Sequence, residues 1–303
     1  MNPNMSLAIV YDGSIRDNGT PFYARLALAQ VLGQDPDWYS EDPTIKGGIP
    51  HDHDFYLHVD DGRDDFPVTG IPHPWGYWMV DSHLGPDVRI EKALTADLVW
   101  CAQKPFVETL QGHGINAKWL PLACEPLVHC TREELAAREN RAPDFPIYDL
   151  GFVGHIQPPG QSNRLEFLDK LYRAVPNSWY AFGHYHEEMS RVYHRCRLGV
   201  NHAVRDDLNM RFFELASMGV PQLADNGMVG LRDLDFRGWE HYLPYHDQVS
   251  AIHRAKEALA MSPNLLQDIA ADALAKVRAA HTYRHRCETI LSDVEDFLQR
   301  GQP

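Results

Sequence analysis

Two kinds of hydrophobic pattern alternate along this chain. Short apolar runs of the kind that form buried strands are followed by stretches whose apolar residues recur every three or four positions, as they do on one face of a helix. The first such pair is the run LAIVYD at 7–12 and a helical pattern over about 21–32. Strands that alternate with helices in this way predict βαβ units and a parallel sheet.

The alternation continues through most of the sequence. It predicts further strands at 54–61, 76–82, 98–102 and 118–123, with helices near 86–95 and 104–113. It then predicts strands at 148–154, 178–182, 198–203, 220–225 and 241–246, helices near 163–174, 187–196 and 209–218, and three consecutive helical patterns that run to Arg300.

A break in the pattern at 125–147 divides the chain. This stretch is polar and charged, ends in prolines and lacks a strand pattern, so we interpret it as a linker with a short helix. We therefore predict an α/β protein with two doubly wound Rossmann-like domains that face an inter-domain cleft, and a helical C-terminal tail. The expected boundaries are 1–128 for the first domain, 129–147 for the linker, 148–282 for the second domain and 283–303 for a helix that packs back on the first domain.

Composition narrows the class of protein. The chain has 303 residues, is 44% hydrophobic and carries a formal charge of -14. That charge argues against nucleic acid as a partner, because such binding depends on neutralising phosphates. No apolar run approaches the ~20 residues that cross a bilayer, and the five cysteines have no CxxC spacing. We expect a soluble, cytoplasmic protein with free thiols and without a transmembrane segment.

Candidate chemistry concentrates after the strand at 198–203. In open parallel sheets, ligands bind at the carboxyl ends of the strands. Here the strand pattern ends near Asn201 and His202, and Asn209 is a good N-cap for the helix that follows. Backbone N–H groups at a helix start suit an anionic diphosphate.

Two charged residues on that helix suit a nucleotide. Arg211 and Glu214 are three positions apart and therefore share one helix face. The arginine can pair with phosphate oxygens, and the carboxylate can accept hydrogen bonds from ribose hydroxyls. A solvated ion pair on an ordinary helix is the alternative, and the spacing alone leaves both interpretations open.

Several segments resemble one enzyme family. The run NMRFFELASMGVPQLAD, which carries N-x-R-x-F-E followed by G-x-P, is similar to the nucleotide-sugar motif of family 4 glycosyltransferases and of CgeB-like proteins. YDLGFVGH followed by Arg164 resembles the first strand and glycine turn of that family's C-terminal domain, and HTYRHRCETIL resembles its closing helix. WMVDSHLG and the stretch 97–126 resemble the second half of its N-terminal domain, so the likeness covers roughly 75–295.

The resemblance implies a GT-B fold and a glycosyltransferase. Such an enzyme moves a sugar from a nucleotide-diphosphate sugar to an acceptor, here unknown (a glycan, a small molecule or a protein), with retention, without a metal and without a cofactor. The residues that match the family's donor-binding positions are Gly154, Arg164, Asn201, Asn209, Arg211 and Glu214. Arg211, Asp206 and His202 are the expected catalytic residues, and Asp81 and His83 are expected to contact the acceptor or the sugar. Asp206 stands where family 4 usually has a glutamate.

Two other classes of protein stay open. The segment 51–65 is rich in residues that bind metals, namely His51, His53, His58, Asp60 and Asp61, so a metal-dependent hydrolase is one alternative, although a solvated loop explains the same residues. A catalytically inactive GT-B module that only binds nucleotide is the other. The sequence predicts neither the sugar, the nucleobase nor the oligomeric state.

Overall fold

The computed structural model of the chain consists of two compact units. Unit 1 comprises Met1–Leu122 and Tyr283–Pro303, and unit 2 comprises Ala123–Thr282. The structure describes residues 5–11, 19–40, 48–61, 70–155, 163–203 and 205–301.

Unit 1 is built on a six-stranded parallel sheet. Its elements are β1 (Leu7–Val10), α1 (Thr20–Leu32), β2 (Asp37–Tyr39), β3 (Phe55–Val59), β4 (Trp75–Met79), α2 (Pro86–Thr95), β5 (Leu98–Cys101), α3 (Lys104–Gly112) and β6 (Ala117–Trp119). The strand order is β2-β1-β3-β4-β5-β6. The edge strand β2 is not predicted from the sequence, because three residues are too few to show a period-two pattern.

Local signals explain where the helices of unit 1 begin and end. Each of its first three helices has a proline at its first or second position, where a missing N–H costs no hydrogen bond. Helix α1 ends at Gly33, whose φ of 74° is left-handed and whose N–H donates to the carbonyl of Ala29 at 3.0 Å.

The C-terminal helix, Tyr283–Arg300, belongs to unit 1. The ring of Tyr283 lies 5.5 Å from that of Tyr23 in α1. Further along the helix, Asp293 accepts a 2.8 Å hydrogen bond from Nε1 of Trp100 in β5. An aromatic contact and an indole hydrogen bond therefore fix this helix to both α1 and the sheet.

Unit 2 is built on a five-stranded parallel sheet. Its elements are α4 (Arg132–Arg138), β7 (Tyr148–Val153), α5 (Asn163–Ala174), β8 (Ser178–Ala181), α6 (His186–His194), β9 (Cys196–Asn201), α7 (Met210–Ser217), β10 (Gln222–Asp225), β11 (Leu243–Tyr245), α8 (Gln248–Ala260) and α9 (Pro263–Ala280), and the C-terminal helix is α10. The strand order is β11-β10-β9-β7-β8. The chain thus moves outward from β7 to β8 and then returns to the other side of β7 with β9, which makes the β7–β9 pair the topological switch point.

Helices cover both faces of this sheet. Leu150 and Phe152 of β7 pack in a core with residues of α5 and α8, whereas Val153 packs with residues of α6 and α7. Alternate residues of a strand point to opposite faces, so this division follows from the order of residues in β7.

The stretch 129–147, expected as a linker with a short helix, packs in unit 2 over its first part, whereas residues 140–147 form no helix or strand and are largely exposed. His129 is buried and its carbonyl accepts a 2.7 Å hydrogen bond from the Ser217 hydroxyl of α7. Helix α4 begins with a capping box, in which Thr131 and Glu134 satisfy each other's backbone N–H groups. The polar sequence misleads because its few buried residues are spread between charged ones.

A close approach between α7 and the sheet depends on Gly199 in β9. A Cβ atom placed on Gly199 would lie 2.5 Å from Cδ2 of Leu215. We expect Gly199→Ala to lower the free energy of unfolding by about 1–3 kcal/mol, because overpacking a dense core costs about that much. Denaturant unfolding measures the change.

Gly112→Ala is the matched control, since a Cβ at that helical position meets nothing within 4 Å. It should leave stability unchanged or raise it by up to about 1 kcal/mol. Equal stabilities for the two variants would contradict the close approach of α7 to β9.

Candidate functional site

The candidate site lies at the carboxyl ends of β7 and β9 in unit 2. Gly154 directly follows β7 and His202 directly follows β9. Arg164, in the first turn of α5, donates to the carbonyl oxygen of His155 at 3.2 Å and to that of His202 at 2.9 Å. One guanidinium therefore spans the switch point of the sheet.

Arg164 is a desolvated cation. Its side chain is buried, and its Nε is buried without a hydrogen-bond partner among the described residues. Burial lowers the pKa of Arg164, and the nearby charge of Arg211 lowers it further. An arginine nevertheless stays charged in proteins. Arg164 therefore carries a positive charge, and its Nε–H can donate to a ligand.

Arg211 approaches the same end of β7 from α7. Its guanidinium lies 5.6 Å from the centre of the Tyr193 ring and contacts the sulfur of Met189. The Tyr193 hydroxyl accepts a 3.0 Å hydrogen bond from the backbone N–H of Val153, the last residue of β7. Both arginines are thus positioned around one strand end, where they create a local positive potential in a chain of charge -14.

Glu214 is a buried carboxylate between two cationic or donor groups. Its Oε2 lies 2.7 Å from Nη1 of Arg211 and its Oε1 lies 3.1 Å from Nε2 of His129. Burial alone would raise the pKa of Glu214, but the charge of Arg211 and the contact with His129 outweigh it, and the pKa lies below its ordinary value. Arg211 and Glu214 do pair, but the pair is not solvated, because Glu214 is only 2% exposed.

Asn209 caps α7, as the sequence predicts. Its side-chain oxygen accepts a 3.3 Å hydrogen bond from the N–H of Phe212, and its Nδ2 donates to Oδ1 of Asn201 at 3.0 Å. Asn201 therefore orients the side chain of the N-cap residue Asn209. Since the cap already satisfies the N–H of Phe212, that group is not available to a phosphate.

His202 is held in a neutral form. Its ring stacks on Phe167 with centroids 4.2 Å apart, and its Nδ1 lies 3.1 Å from the Tyr245 hydroxyl, which donates to the carbonyl of Asn201 at 3.0 Å. Burial, aided by the charge of Arg164, lowers the pKa of His202 to about 4. Because Tyr245 uses its proton on the carbonyl, Nδ1 of His202 carries the ring proton. Its Nε2, which is buried without a partner among the described residues, is the acceptor.

Asp206 lies apart from these residues, beside the end of β10. A Cβ placed on Gly227 would lie 3.0 Å from Oδ1 of Asp206 and 3.2 Å from Oδ1 of Asp225. Burial raises the pKa of Asp225, and the charge of Asp206 adds to this rise. Asp206 has a left-handed φ of 58° in an exposed turn.

Asp81 and His83 follow β4 in unit 1. Asp81 has a φ of 49° and its carbonyl accepts a 2.8 Å hydrogen bond from the N–H of Leu84, so a tight turn presents both side chains. Their contact with an acceptor or sugar stays a prediction.

The histidine- and aspartate-rich segment has structural partners instead of a shared centre. Asp60 lies 2.7 Å from Nε of the buried Arg89 and accepts a 2.8 Å hydrogen bond from the Tyr77 hydroxyl. The ring of His58 stacks on Tyr77 at 5.1 Å. Among the described residues, the ligand atoms of this segment form no group of three within 4.8 Å of one another. Its last residues, 62–65, lie outside the described residues.

Within the described residues, His51, His53 and His58 therefore give the metal-dependent hydrolase alternative no geometric support. His53 faces Tyr39, whose hydroxyl lies 3.2 Å from its Nε2, and His51 is exposed.

Sequence reasoning missed four residues that build the site. Three of them, Phe167, Tyr193 and Tyr245, lie in predicted elements and look like ordinary core aromatics. The fourth, His129, lies in the segment interpreted as a linker. The T-x-x-E capping box just after it is the one signal that argues for folded structure there.

Part of the chain, mostly in unit 2, matches a protein family. Residues 164–292 match the model of a family described as glycosyl transferase-like. The match includes Arg164, Arg211 and Glu214. No curated protein matches the chain in sequence.

Solved structures share the fold across almost the whole chain. Sucrose-phosphate synthase from Thermosynechococcus elongatus aligns with 98% of this chain and 100% of its own, at 12% identity and a TM-score of 0.64. HepE from Anabaena, in complex with UDP and glucose, aligns over 96% and 100% at 12% identity and a TM-score of 0.66. A trehalose-6-phosphate structure from E. coli bound with UDP-2-fluoro glucose aligns over 95% and 99% at 11% identity and a TM-score of 0.65.

These findings confirm the GT-B fold with its helical C-terminal tail. They also confirm, from the domain-family match, the prediction of a glycosyltransferase-type enzyme. In the described part of the chain, no helix is long and apolar enough to cross a membrane.

The neutral form of His202 makes stability depend on pH. The pKa of His202 in the folded protein, about 4, lies below its ordinary value of 6.5. The imidazole of His202 therefore binds a proton more tightly in the unfolded chain than in the folded protein. This contribution to stability is complete above pH 6.5 and is lost as the pH falls towards 4. Between pH 7 and pH 4, urea unfolding should show that the wild type loses more free energy of unfolding than His202→Asn does, by on the order of 2–3 kcal/mol.

His253→Asn serves as the control, because that side chain is 77% exposed on α8. It should follow the wild-type curve. Parallel curves for the wild type and His202→Asn would show that His202 is not held neutral.

Proposed function

We propose that this chain is a glycosyltransferase that transfers a sugar from a nucleotide-diphosphate sugar, with the donor bound in unit 2. The observation that carries the proposal is the meeting of two guanidinium groups at the carboxyl end of β7, at the switch point of a parallel sheet. Ligands of open α/β sheets bind at such a point. The glycosyl transferase-like match over 164–292 supports the same class of reaction.

The two arginines suit a diphosphate leaving group. Negative charge grows on the phosphate oxygens as the glycosidic bond breaks, and preorganised donors in a dry site stabilise that charge strongly. Arg164 is held by two backbone carbonyls and Arg211 by the Glu214 carboxylate. Their positions are therefore set before the donor arrives.

The other site residues take the remaining parts of the donor. Glu214 accepts hydrogen bonds from the ribose hydroxyls, and Asn209 with Asn201 shapes the start of α7. His202 lines the sugar pocket, where the lone pair on its Nε2 accepts a sugar hydroxyl. Asp206 approaches the sugar from the exposed turn beside the end of β10, and Gly154 lets the chain turn at the end of β7 with a φ of 155°.

The finer features of the reaction belong to the same proposal. They are assignment to the family 4 or CgeB-like group, transfer with retention, independence of a metal, and contact of Asp81 and His83 with the acceptor or sugar. The acceptor is a glycan, a small molecule or a protein. All five cysteines are free and buried, which is in keeping with a cytoplasmic location. UDP is the first nucleotide to test, because HepE is solved with UDP and glucose.

Binding of a nucleoside diphosphate tests the function directly. We expect UDP, ADP or GDP to bind far more tightly than the matching nucleoside, because the arginines recognise the diphosphate. Calorimetry gives both affinities. Equal affinity within every nucleotide–nucleoside pair would contradict the site.

A turnover screen with nucleotide sugars, run with and without EDTA, completes this test. Turnover that survives EDTA is expected. Binding without turnover of any donor would indicate an inactive module, and activity restored only by one divalent ion would contradict the metal-independent mechanism.

Arg211 should matter more in the transition state than in the ground state. We expect Arg211→Ala to lower turnover by about 100- to 1000-fold, as the loss of one donor to a developing anion does. Arg211→Lys keeps the charge but loses the planar fork, so it should restore activity only in part. Steady-state kinetics and donor titrations measure the two effects separately.

Arg173→Ala is the control, because Arg173 lies on the same helix as Arg164 but is 76% exposed. It should behave as the wild type. An Arg211→Ala enzyme with weakened donor binding but unchanged turnover at saturation would show that Arg211 only holds the donor.

A further inference from the structure

His129 connects the segment before α4 to the charged face of α7. It is fully buried, and its Nδ1 accepts a 3.0 Å hydrogen bond from the backbone N–H of Glu125. Its Nε2 lies 3.1 Å from Oε1 of Glu214, and its carbonyl accepts from the Ser217 hydroxyl at 2.7 Å. Glu214 and Ser217 are three positions apart on α7, so a single residue contacts two consecutive turns of that helix.

The backbone contact fixes which ring nitrogen carries the proton. A backbone N–H can only donate, so Nδ1 of His129 is the acceptor and Nε2 carries the hydrogen in the neutral ring. That nitrogen lies 3.1 Å from Oε1 of Glu214, which makes a short electrostatic contact without the alignment of a hydrogen bond.

The two oxygens of Glu214 are held by different elements. Arg211 of α7 pairs with Oε2 and His129 pairs with Oε1. The other titratable groups that face this carboxylate are His186, at the start of α6, and Tyr193, within α6. A carboxylate with one partner can rotate about its last bond, whereas one with a partner on each oxygen has a fixed plane. A buried carboxylate that loses a partner is also strongly destabilised.

We propose that His129 is a positioning residue of the donor site, which fixes the plane of the Glu214 carboxylate for the ribose and thereby holds Arg211 in place for the diphosphate. This inference rests on the proposed function, since it assigns a task to a residue outside the motif that binds the donor. His129 itself does not touch the donor.

A pair of substitutions separates the two ring contacts of His129, with the Glu125 N–H and with Glu214. In His129→Gln the amide nitrogen takes the place of Nε2 and still faces Glu214, but the contact with the Glu125 N–H is lost. In His129→Asn the amide oxygen takes the place of Nδ1 and keeps that contact, but the donor to Glu214 is lost. We expect His129→Asn to bind UDP, or whichever of UDP, ADP and GDP binds best, about 10- to 100-fold more weakly than the wild type. His129→Gln should stay within about threefold.

The ribose gives a readout that a purely structural role would not change. The wild type and His129→Gln should prefer the ribonucleotide over its 2′-deoxy form, and His129→Asn should lose most of this preference because its carboxylate is no longer oriented. Ser217→Ala is the matched control, since it removes the other contact of His129 with α7 and leaves Glu214 untouched. It should keep both the affinity and the preference.

Thermal unfolding of each variant, and NMR of the wild type, complete the test. With ¹⁵N-labelled histidine, His129 should show an Nε2–H tautomer with a slowly exchanging proton whose shift moves on nucleotide binding. An Nδ1–H tautomer overturns the proposal even if a variant fails to fold. The proposal is also overturned if His129→Asn keeps the wild-type affinity and ribose preference. It is overturned as well if the affinity losses of the Asn and Gln variants simply follow their losses of thermal stability. In both cases the proposed function stands. A wild type that binds none of the three nucleotides contradicts the proposed function and this inference together.

Discussion

A carboxylate that is buried within a protein must be compensated, and much of the candidate site is arranged around that requirement at Glu214. Moving an unpaired carboxylate out of water costs several kcal/mol even after the protein relaxes. Arg211 and His129 supply the compensation, one to each oxygen. To do so, α7 has to lie against the segment that precedes α4, and Ser217 adds a hydrogen bond between the same two parts of unit 2. The burial of one charge therefore explains why the start of a polar stretch, at His129, packs against α7.

The parallel sheet supplies the second constraint. Because β9 returns to the side of β7 opposite β8, the ends of β7 and β9 are neighbours at the switch point of the sheet. Arg164 occupies this gap and donates to a carbonyl beyond each strand. Gly199 then allows α7 to approach β9 closely enough for Arg211 to reach the same strand end. Strand order and one missing side chain together bring two cations to one place.

The order and type of almost all elements could be predicted from the sequence, and so could the cap at Asn209. Each depends on residues that are close together in sequence, whose period or cap chemistry is visible locally. The edge strand β2 could not be predicted, because three residues carry no period. His129, Tyr245 and Phe167 could not be assigned to the site for a different reason: each meets its partner from 35 to 85 residues away in His202 or Glu214, as their sequence numbers show. The burial of Glu214 was missed because spacing shows which helix face a residue shares but not what covers that face.

Desolvation lowers the pKa of both kinds of nitrogen base at this sheet edge, but it leaves them in different charge states. Burial lowers the pKa of His202 to about 4, so the imidazole is neutral at physiological pH. Burial also lowers the pKa of Arg164, but a guanidinium starts so high that it stays charged. The carbonyl of His202 accepts from Arg164, so the neutral ring and the fixed cation are joined by one hydrogen bond. A diphosphate requires charge, whereas a sugar hydroxyl requires a neutral acceptor that does not compete for the phosphate. Adjacent groups of these two kinds are what a donor with a phosphate next to a sugar requires.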